Sequence, residues 1–281
     1  MDIVIEYFNQ IPSSHRTIIL VGGLTVFWLI ESAIPLFRFN YKKWQHAKVN
    51  IFFTITTIVV NFTMAFILVK TSDYVTINKI GFLHLVEMPI WVFMILGILL
   101  MDLIGAWFIH WLEHKVKWMW KFHLIHHTDQ QIDTTSANRH HPGESVFRFV
   151  FTIMAVIIIG APMWMVFMYQ TLSVVFTQFN HSNIRMPKWL DNTLGLVFCT
   201  PDIHRIHHHY RQPFTDTNYG NIFSIWDRMF GTFVIVDNSR LVYGVDTHMD
   251  AKEVTNITTI LKMPFMPYRE SINYEKEEKL G

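Results

Sequence analysis

Long apolar runs separated by short polar segments dominate the first part of the chain. Three of them, residues 17–36, 50–69 and 88–109, are each about as long as a membrane-spanning helix needs to be. Each run carries at most one charge, Glu31 in the first and Asp102 in the third. Buried helices of a soluble protein are the alternative, but three such runs in so short a stretch favour spans of a membrane.

A fourth apolar region, residues 146–180, is too long for one span and is interrupted by Gly160, Ala161 and Pro162. Because proline fixes its backbone and lacks a donor, the interruption predicts a turn. We expect a helical hairpin with arms 146–159 and 163–181, both short for a full crossing. The sequence thus predicts an all-α polytopic membrane protein: about three spanning helices, a membrane hairpin and a histidine-rich helical cap. We expect one domain over residues 1–281, with a loose charged tail at 266–281.

Composition supports the membrane and narrows the possible partners. Hydrophobic residues make up 51% of the chain and charged residues 16%, whereas soluble domains carry about a quarter charged residues. The net charge of +1 gives no case for binding nucleic acid. The single cysteine, Cys199, excludes an internal disulfide and a cysteine-rich zinc site. Asp2 and Glu6 stand where a signal peptide would be basic, so we expect the first apolar run to remain as an anchor.

Basic residues predict the orientation in the membrane. They concentrate in the loop 37–49 and after the third run, and are fewer on the other side. The two groups are Arg38, Lys42, Lys43, Lys48, Lys115, Lys117 and Lys121 against Arg16, Lys70 and Lys79. The positive-inside rule therefore places loop 37–49 and the region after residue 110 in the cytoplasm. A returning hairpin brings His181 and the C-terminal region to the same face.

Nine histidines fall in short motifs whose spacing suits metal ligands on helices. The motifs are HWLEH, HLIHH, FNHSN and HRIHH, and their histidines are His110, His114, His123, His126, His127, His181, His204, His207 and His208. Steps of three and four residues place side chains on one face of a helix. His209 lies about 100° further round than His208 and is predicted to point off this face.

The number and type of these residues indicate a two-metal site. Imidazole suits zinc, copper, iron and nickel, and one ion takes roughly four to six ligands, so nine histidines favour two ions. Ordinary polar histidines at a membrane surface are the alternative for any one of them. The spacing of the nearby carboxylates does not place them on the same helix faces as the histidines. These carboxylates are Glu113, Asp129, Asp133 and Glu144. A neutral ligand set favours iron and dioxygen chemistry over a two-zinc metallohydrolase, which remains the alternative function.

The position of the histidines and the other motifs of the chain bear on alternative functions. A metal transporter would place its ligands in the middle of the spans, whereas these lie at the ends. No flavin, haem or iron–sulfur motif is visible, so electrons would come from an external donor. His141 in HPGE is either a tenth ligand or part of a turn. Asp102 and Asp227 are candidates for orienting ligand imidazoles, because metal-bound histidines usually donate their other ring proton.

The motifs together resemble the fatty acid hydroxylase and sterol desaturase superfamily. The similarity runs from Asp102 to Gly244 through HWLEH, WKFHLIHH, RHHPGE, FNHSN, TPDIHRIHH and DTNYGNIFSIWDRMFGTF. The closing segment, with LVYGV after it, also resembles alkylglycerol monooxygenases and bacterial relatives. The resemblance implies a cytosolic two-metal site, formed by the nine histidines, that uses dioxygen to hydroxylate, desaturate or cleave a lipid. Thr177 stands where some relatives have a further histidine, so that either one metal has fewer ligands here or His141 completes its set.

Overall fold

The computed structural model describes residues 1–238 and 241–271, and the described part is helical, with isolated β-bridges in place of strands. The all-α prediction is confirmed. The α-helices in chain order are α1 Asp2–Asn9, α2 Ser13–Ala33, α3 Lys43–Ile77, α4 Ile90–Asp102, α5 Ile109–Lys115, α6 Lys117–His127, α7 Pro142–Ile159, α8 Met163–His181, α9 Lys188–Leu194, α10 Pro201–His207, α11 Ile225–Phe230 and α12 Ile257–Lys262.

Four helical segments of the described chain are long and apolar enough to cross a membrane, by length and composition. Three correspond to the predicted spans and begin or end several residues outside the predicted bounds. The fourth is α7, the first arm of the predicted hairpin. It has 18 residues, which is long enough to span a membrane, whereas the predicted arm 146–159 is short for a full crossing. Helix α3 is about 50 Å long at about 1.5 Å per residue, so it extends beyond the hydrocarbon core.

A π-helical turn, Leu103–Phe108, joins α4 to α5 in one continuous segment. It lies directly before the first histidine motif, and π-turns are frequent at functional sites because they change the register of the following helix. The hairpin turn falls where the sequence placed it. Gly160 ends α7 with φ of 80°, a left-handed conformation that favours glycine, and Pro162 precedes α8.

The apolar core of the bundle lies between α3, α4, α7 and α8. Its fully buried members include Met101, Ile159, Met165 and Val166. In contrast, Phe62 and Phe66 in the middle of α3 are 83% and 69% exposed, as expected for side chains that face lipid. The exposed apolar belt and the buried core together indicate a bundle built for a bilayer.

Buried polar contacts join the bundle's ends where α2 stops, α3 starts and α6 stops. Oε2 of Glu31 accepts hydrogen bonds from the backbone N–H groups of Thr134 and Asn183, both at 3.0 Å. His46 contacts Asp129 through Nε2 at 2.8 Å. Arg139 is 1% exposed and donates to the backbone oxygen of Ile125 at 3.1 Å. These contacts fix the loop that follows the HLIHH helix.

Part of the predicted loose tail lies outside the described residues, namely 272–281. The part from 266 to 271 contacts the rest of the protein. The hydroxyl of Tyr268 donates to the backbone oxygen of Lys117, and Arg269 pairs with Glu253. The tail is therefore attached at its start.

Candidate metal centre

The nine histidines singled out by their spacing meet in two adjacent buried groups. Within each group, one ligand atom from every member lies within 4.8 Å of those of all the others. We call these the five-histidine group, which consists of His110, His114, His123, His127 and His207, and the four-histidine group, which consists of His126, His181, His204 and His208.

Each HxxHH motif contributes to both groups. In the first motif, His123 and His127 join the five-histidine group and His126 joins the other. In the second motif the assignment is reversed, since His204 and His208 belong to the four-histidine group and His207 to the five-histidine group. Residues three and four apart lie on the same helix face, so one face of each motif can supply ligands to two adjacent sites. The sequence predicted one face for each motif, and the structure divides that face between two sites.

The ring nitrogens inside each group are as close as ligands of a common ion. Nε2 of His110 lies 3.1 Å from Nε2 of His123, which lies 3.2 Å from Nε2 of His127. In the four-histidine group, Nε2 of His181 is 3.0 Å from that of His126 and 3.2 Å from that of His204. Two nitrogens at about 2.1 Å from one ion, at angles between a right angle and the tetrahedral value, lie about 3.0–3.4 Å apart.

In each ring, the hydrogen bond of the outer nitrogen, Nδ1, determines whether the inner nitrogen, Nε2, carries a proton or a lone pair. Nδ1 of His110 donates to the backbone oxygen of Tyr219 at 2.8 Å, and Nδ1 of His123 donates to Oε1 of Glu144 at 2.7 Å. A neutral imidazole carries one ring proton. Nε2 of both rings therefore holds a lone pair, and two lone pairs 3.1 Å apart repel each other unless a cation lies between them.

Three further ligand candidates have the same arrangement. Nδ1 of His207 donates to the backbone oxygen of Thr217 at 2.7 Å, and Nδ1 of His181 donates to that of Thr177 at 2.8 Å. Nδ1 of His114 faces Oδ1 of Asp216 at 3.3 Å. The inner Nε2 atoms of His114 and His207 are buried and have no hydrogen-bond partner. Buried polar atoms without a partner are costly, so an ion at this place would satisfy them.

Burial also keeps these rings in the form that binds metal. Removal from water lowers the pKa of His123 to about 3 and holds the pKa of His127, His207 and His208 well below the usual range. Neighbouring imidazoles lower the pKa of the last three further. The rings are therefore neutral near pH 7, and the neutral imidazole is the form that ligates a metal. The donor set fits two ions with nitrogen ligands.

The structure places His141 outside both groups. It caps α7, where Nδ1 accepts from the backbone N–H of Gly143 at 2.9 Å, and its Nε2 contacts the backbone oxygen of Leu261. Its neighbour His140 lies nearer, because its ring stacks on His126 with centroids 4.7 Å apart. HPGE is thus the beginning of α7, with His141 as its N-cap, and His141 lies outside the four-histidine group.

Asp102 and Asp227 do not contact the ligand imidazoles, contrary to the expectation. Asp102 is followed by the π-turn and lies about 12 Å along the helix from His110, at about 1.5 Å per residue, so its side chain cannot reach that ring. It instead accepts from the indole of Trp226 at 3.0 Å. Asp227 accepts from the backbone N–H of Tyr219 at 2.9 Å, and the oxygen of Tyr219 receives the His110 proton. Asp227 therefore positions His110 through one backbone unit.

Some carboxylates whose spacing does not match that of the histidines nevertheless accept hydrogen bonds at the outer side of the histidine groups. Oε1 of Glu144 accepts from His123 and His140, both at 2.7 Å, and from Nε of Arg148 at 3.0 Å. Arg148 also pairs with Glu113 at 2.5 Å. Neither Glu144 nor Asp216 had a spacing signal, because their elements reach the site only through tertiary packing.

Comparison with known proteins adds a likeness over the same region. Residues 94–232 match the family model described as fatty acid hydroxylase. The chain is 28% identical to ornithine lipid hydroxylase OlsE of Rhizobium tropici over 139 residues, which cover 50% of this chain and 41% of that protein. It is 32% identical to alkylglycerol monooxygenase of Homo sapiens over 151 residues, 51% of this chain and 31% of the relative.

More distant likeness extends further along the chain. Very-long-chain aldehyde decarbonylase GL1-11 of Oryza sativa subsp. indica is 23% identical over 178 residues, 62% of this chain and 66% of that protein. The chain thus spans less than half the length of the first two relatives. No solved structure matches it.

Proposed function

We propose, from the match of residues 94–232 to the fatty acid hydroxylase family model, that the protein oxidises a membrane lipid with dioxygen at its two histidine groups. The resemblance noted in the sequence is confirmed by this match, and the homologues are lipid hydroxylases and monooxygenases, which are oxidoreductases. The observation that carries the proposal is the pair of facing lone pairs on His110 and His123, which calls for a cation.

The histidines would hold two metal ions, with iron as the proposed identity. When bound, the ions would supply the activation of dioxygen, a chemistry that non-haem iron supports. The chain's own residues contribute ligation, burial and orientation. Glu144, Asp216 and the backbone oxygens of Tyr219 and Thr217 hold the ring protons on the outer nitrogens, so that the inner nitrogens remain free for metal.

The substrate class follows from the place of the site. Both groups lie where α5 and α8 end, at the edge of the spanning bundle, within reach of a lipid but not of the bilayer centre. The relatives act on an ornithine lipid and on an alkylglycerol, as their names state. We propose that this chain acts on a lipid of that kind, by hydroxylation, desaturation or ether cleavage, with electrons from an external donor. We place the site on the cytoplasmic side, where the basic residues of loop 37–49 lie.

The test compares lipids from cells that express the protein or its His126→Ala variant in an atmosphere of isotopically heavy dioxygen. Ornithine lipid and alkylglycerol are supplied, and all lipid classes are measured by mass spectrometry. A lipid that gains heavy oxygen or loses two hydrogens only with the intact protein supports oxidation. A lipid cleaved equally well without dioxygen would support the two-zinc hydrolase instead.

A further inference from the structure

Large apolar side chains are exposed outside the four candidate spans. Trp189 in α9 is 71% exposed, Leu196 after it 62%, and Met229 in α11 68%. Val197 and Phe230 are also exposed. Residues 195–197 lie beside residues 228–230, because Arg228 donates to the backbone oxygen of Gly195 at 3.0 Å. Apolar surface of this kind is unusual for a part of a protein that water surrounds, and it marks a contact with a partner or a membrane.

The depth of α11 shows which of these it contacts. The spanning segment that contains Asp102 ends at the basic residue Lys115. Asp102 lies between three and four helical turns before Lys115, a distance of about 20 Å at about 1.5 Å per residue. Asp102 accepts hydrogen bonds from the backbone N–H groups of Ile222 and Phe223, both at 3.3 Å. The segment that leads into α11 therefore lies beside the spanning helix, well below its polar end.

Ring contacts continue this packing along the span. Phe230 at the end of α11 stacks on Trp107 of the π-turn, with centroids 4.5 Å apart. Phe198 stacks on Phe176 of α8 at 5.2 Å and on Phe223 at 5.8 Å. The inner side of this region thus packs against the spanning segment that contains Trp107 and against α8.

The backbone is satisfied in the way that a hydrocarbon environment requires. Irregular backbone is tolerated at membrane depth only where protein groups take its hydrogen bonds. Oδ1 and Oδ2 of Asp227 accept from the N–H groups of Tyr219 and Gly220, both at 2.9 Å, and Asp102 accepts from those of Ile222 and Phe223. The N–H of Ser224 donates to the backbone oxygen of Val197 at 2.9 Å. Two fully buried carboxylates thus replace the water that a surface loop would use.

We propose that residues 195–198 and 223–230 form an inserted element that lies within the bilayer, with Leu196, Val197, Met229 and Phe230 facing its acyl chains. The exposed Arg228 of this element donates to the backbone oxygen of Gly195 at 3.0 Å and lies over the ring of Phe233 at 3.6 Å. Trp189 and Lys188 in α9 mark the level of the interface, where an amphipathic aromatic ring and a basic side chain are favoured. The exposed surface of the element contacts the acyl region of the membrane. A second copy of the chain on the same surface is the alternative that the test must separate.

The position of this element assigns a side of approach to the metal groups. Cys199 and Thr200 connect Phe198 of the element to Pro201, where α10 begins. Helix α10 carries His204 and His207, and His208 follows it directly. A lipid that moves laterally in the membrane meets the inserted element before it meets the histidines. This inference rests on packing and burial, so it holds or fails separately from the proposed oxidation.

The experiment places a nitroxide spin label on single cysteines in a Cys199→Ser background, in the full chain reconstituted into liposomes. Leu196→Cys and Met229→Cys probe the inserted element. Phe62→Cys, in the middle of α3, is the lipid-facing control, and Lys252→Cys, an exposed position outside the helices, is the control in water. Collision rates with dioxygen, which concentrates in lipid, are compared with those of a water-soluble nickel complex.

We expect the ratio of dioxygen to nickel collisions at Leu196 and Met229 to match that at Phe62 and to exceed that at Lys252. A ratio at both positions equal to that at Lys252 would place the element in water and overturn the proposal. Protection from both reagents would also overturn it, because it would show a second protein surface covering the element.

Discussion

Nδ1 of His123 donates a hydrogen bond to Oε1 of Glu144 at 2.7 Å, and neither side chain is exposed to solvent. The same oxygen accepts from His140 and Arg148. Three donors on one buried oxygen require its negative charge, since charge-assisted bonds are about twice as strong as neutral ones. Glu144 therefore holds the His123 proton on the outer nitrogen and leaves the inner nitrogen free.

Glu144→Gln tests this orienting role. The amide is similar in shape but neutral, and it can accept fewer of the three bonds, so His123 loses its fixed orientation. We expect metal affinity to fall about 10–100-fold, the usual effect of changing a partner of a metal-bound histidine. Competition with a chelator measures it. Glu253→Gln, in an exposed pair with Arg269, is the matched control. Equal affinities in the two variants would show that Glu144 has no part in holding His123.

Asp227 is tested by a pair of substitutions that differ in what they leave behind. Asp227→Ala leaves the buried donors of Tyr219, Gly220, Trp107 and Thr232 without a partner, and we expect a loss in stability of about 1–3 kcal/mol for each donor that water cannot reach. Asp227→Asn keeps one accepting oxygen and should cost less. Thermal unfolding in detergent gives the order. The reverse order, or no difference, would contradict the role of Asp227 in fixing this segment.

His208 and His209 are neighbours with opposite expectations. His208 lies 3.2 Å from His181 between Nε2 atoms, whereas Nδ1 of His209 accepts from the backbone N–H of Val242 at 3.2 Å and joins neither group. We expect His208→Ala to abolish metal binding and His209→Ala to change stability by less than about 0.5 kcal/mol. Metal content of the two purified variants decides. The same loss in both would require a new ligand assignment.

Orientation in the membrane is tested by labelling single cysteines from either side. In a Cys199→Ser background, Gln45→Cys and Arg211→Cys should react from the cytoplasm, because basic residues concentrate at that end. Asn78→Cys, after the other end of α3, should react from the opposite side. Gln45 and Arg211 labelled from opposite sides would refute the shared face, and all three reversed would refute the cytoplasmic placement.

The sequence predicted the helices and the histidines because both depend on local spacing. Apolar runs of spanning length and the break at Gly160 define α2, α3, α4 and the hairpin, and steps of three and four define the ligand candidates. The division of each HxxHH motif between two groups was not visible. It depends on how α6 and α10 face each other, which no spacing within one helix records.

The residues that hold the ligand histidines in place could not be predicted either, because they reach the site only through the packing of separate elements. Glu144 meets His123 from another helix, and Asp216 meets His114 across 102 positions of sequence. The spacing of Asp102 and His110 predicts a shared helix face, but the π-turn and the length of helix between them separate the two side chains. Its carboxylate serves the backbone of residues 222 and 223 instead, a partner that the sequence pattern does not reveal.

The most direct test of the two-metal account is the metal content of the purified protein. Elemental analysis of the intact protein, isolated without chelator, should give about two ions per chain, as expected for a set of nine imidazoles. His207→Ala and His126→Ala, one from each group, should lose the ions together, because α6 and α10 each serve both groups. Full metal content in both variants would contradict the account.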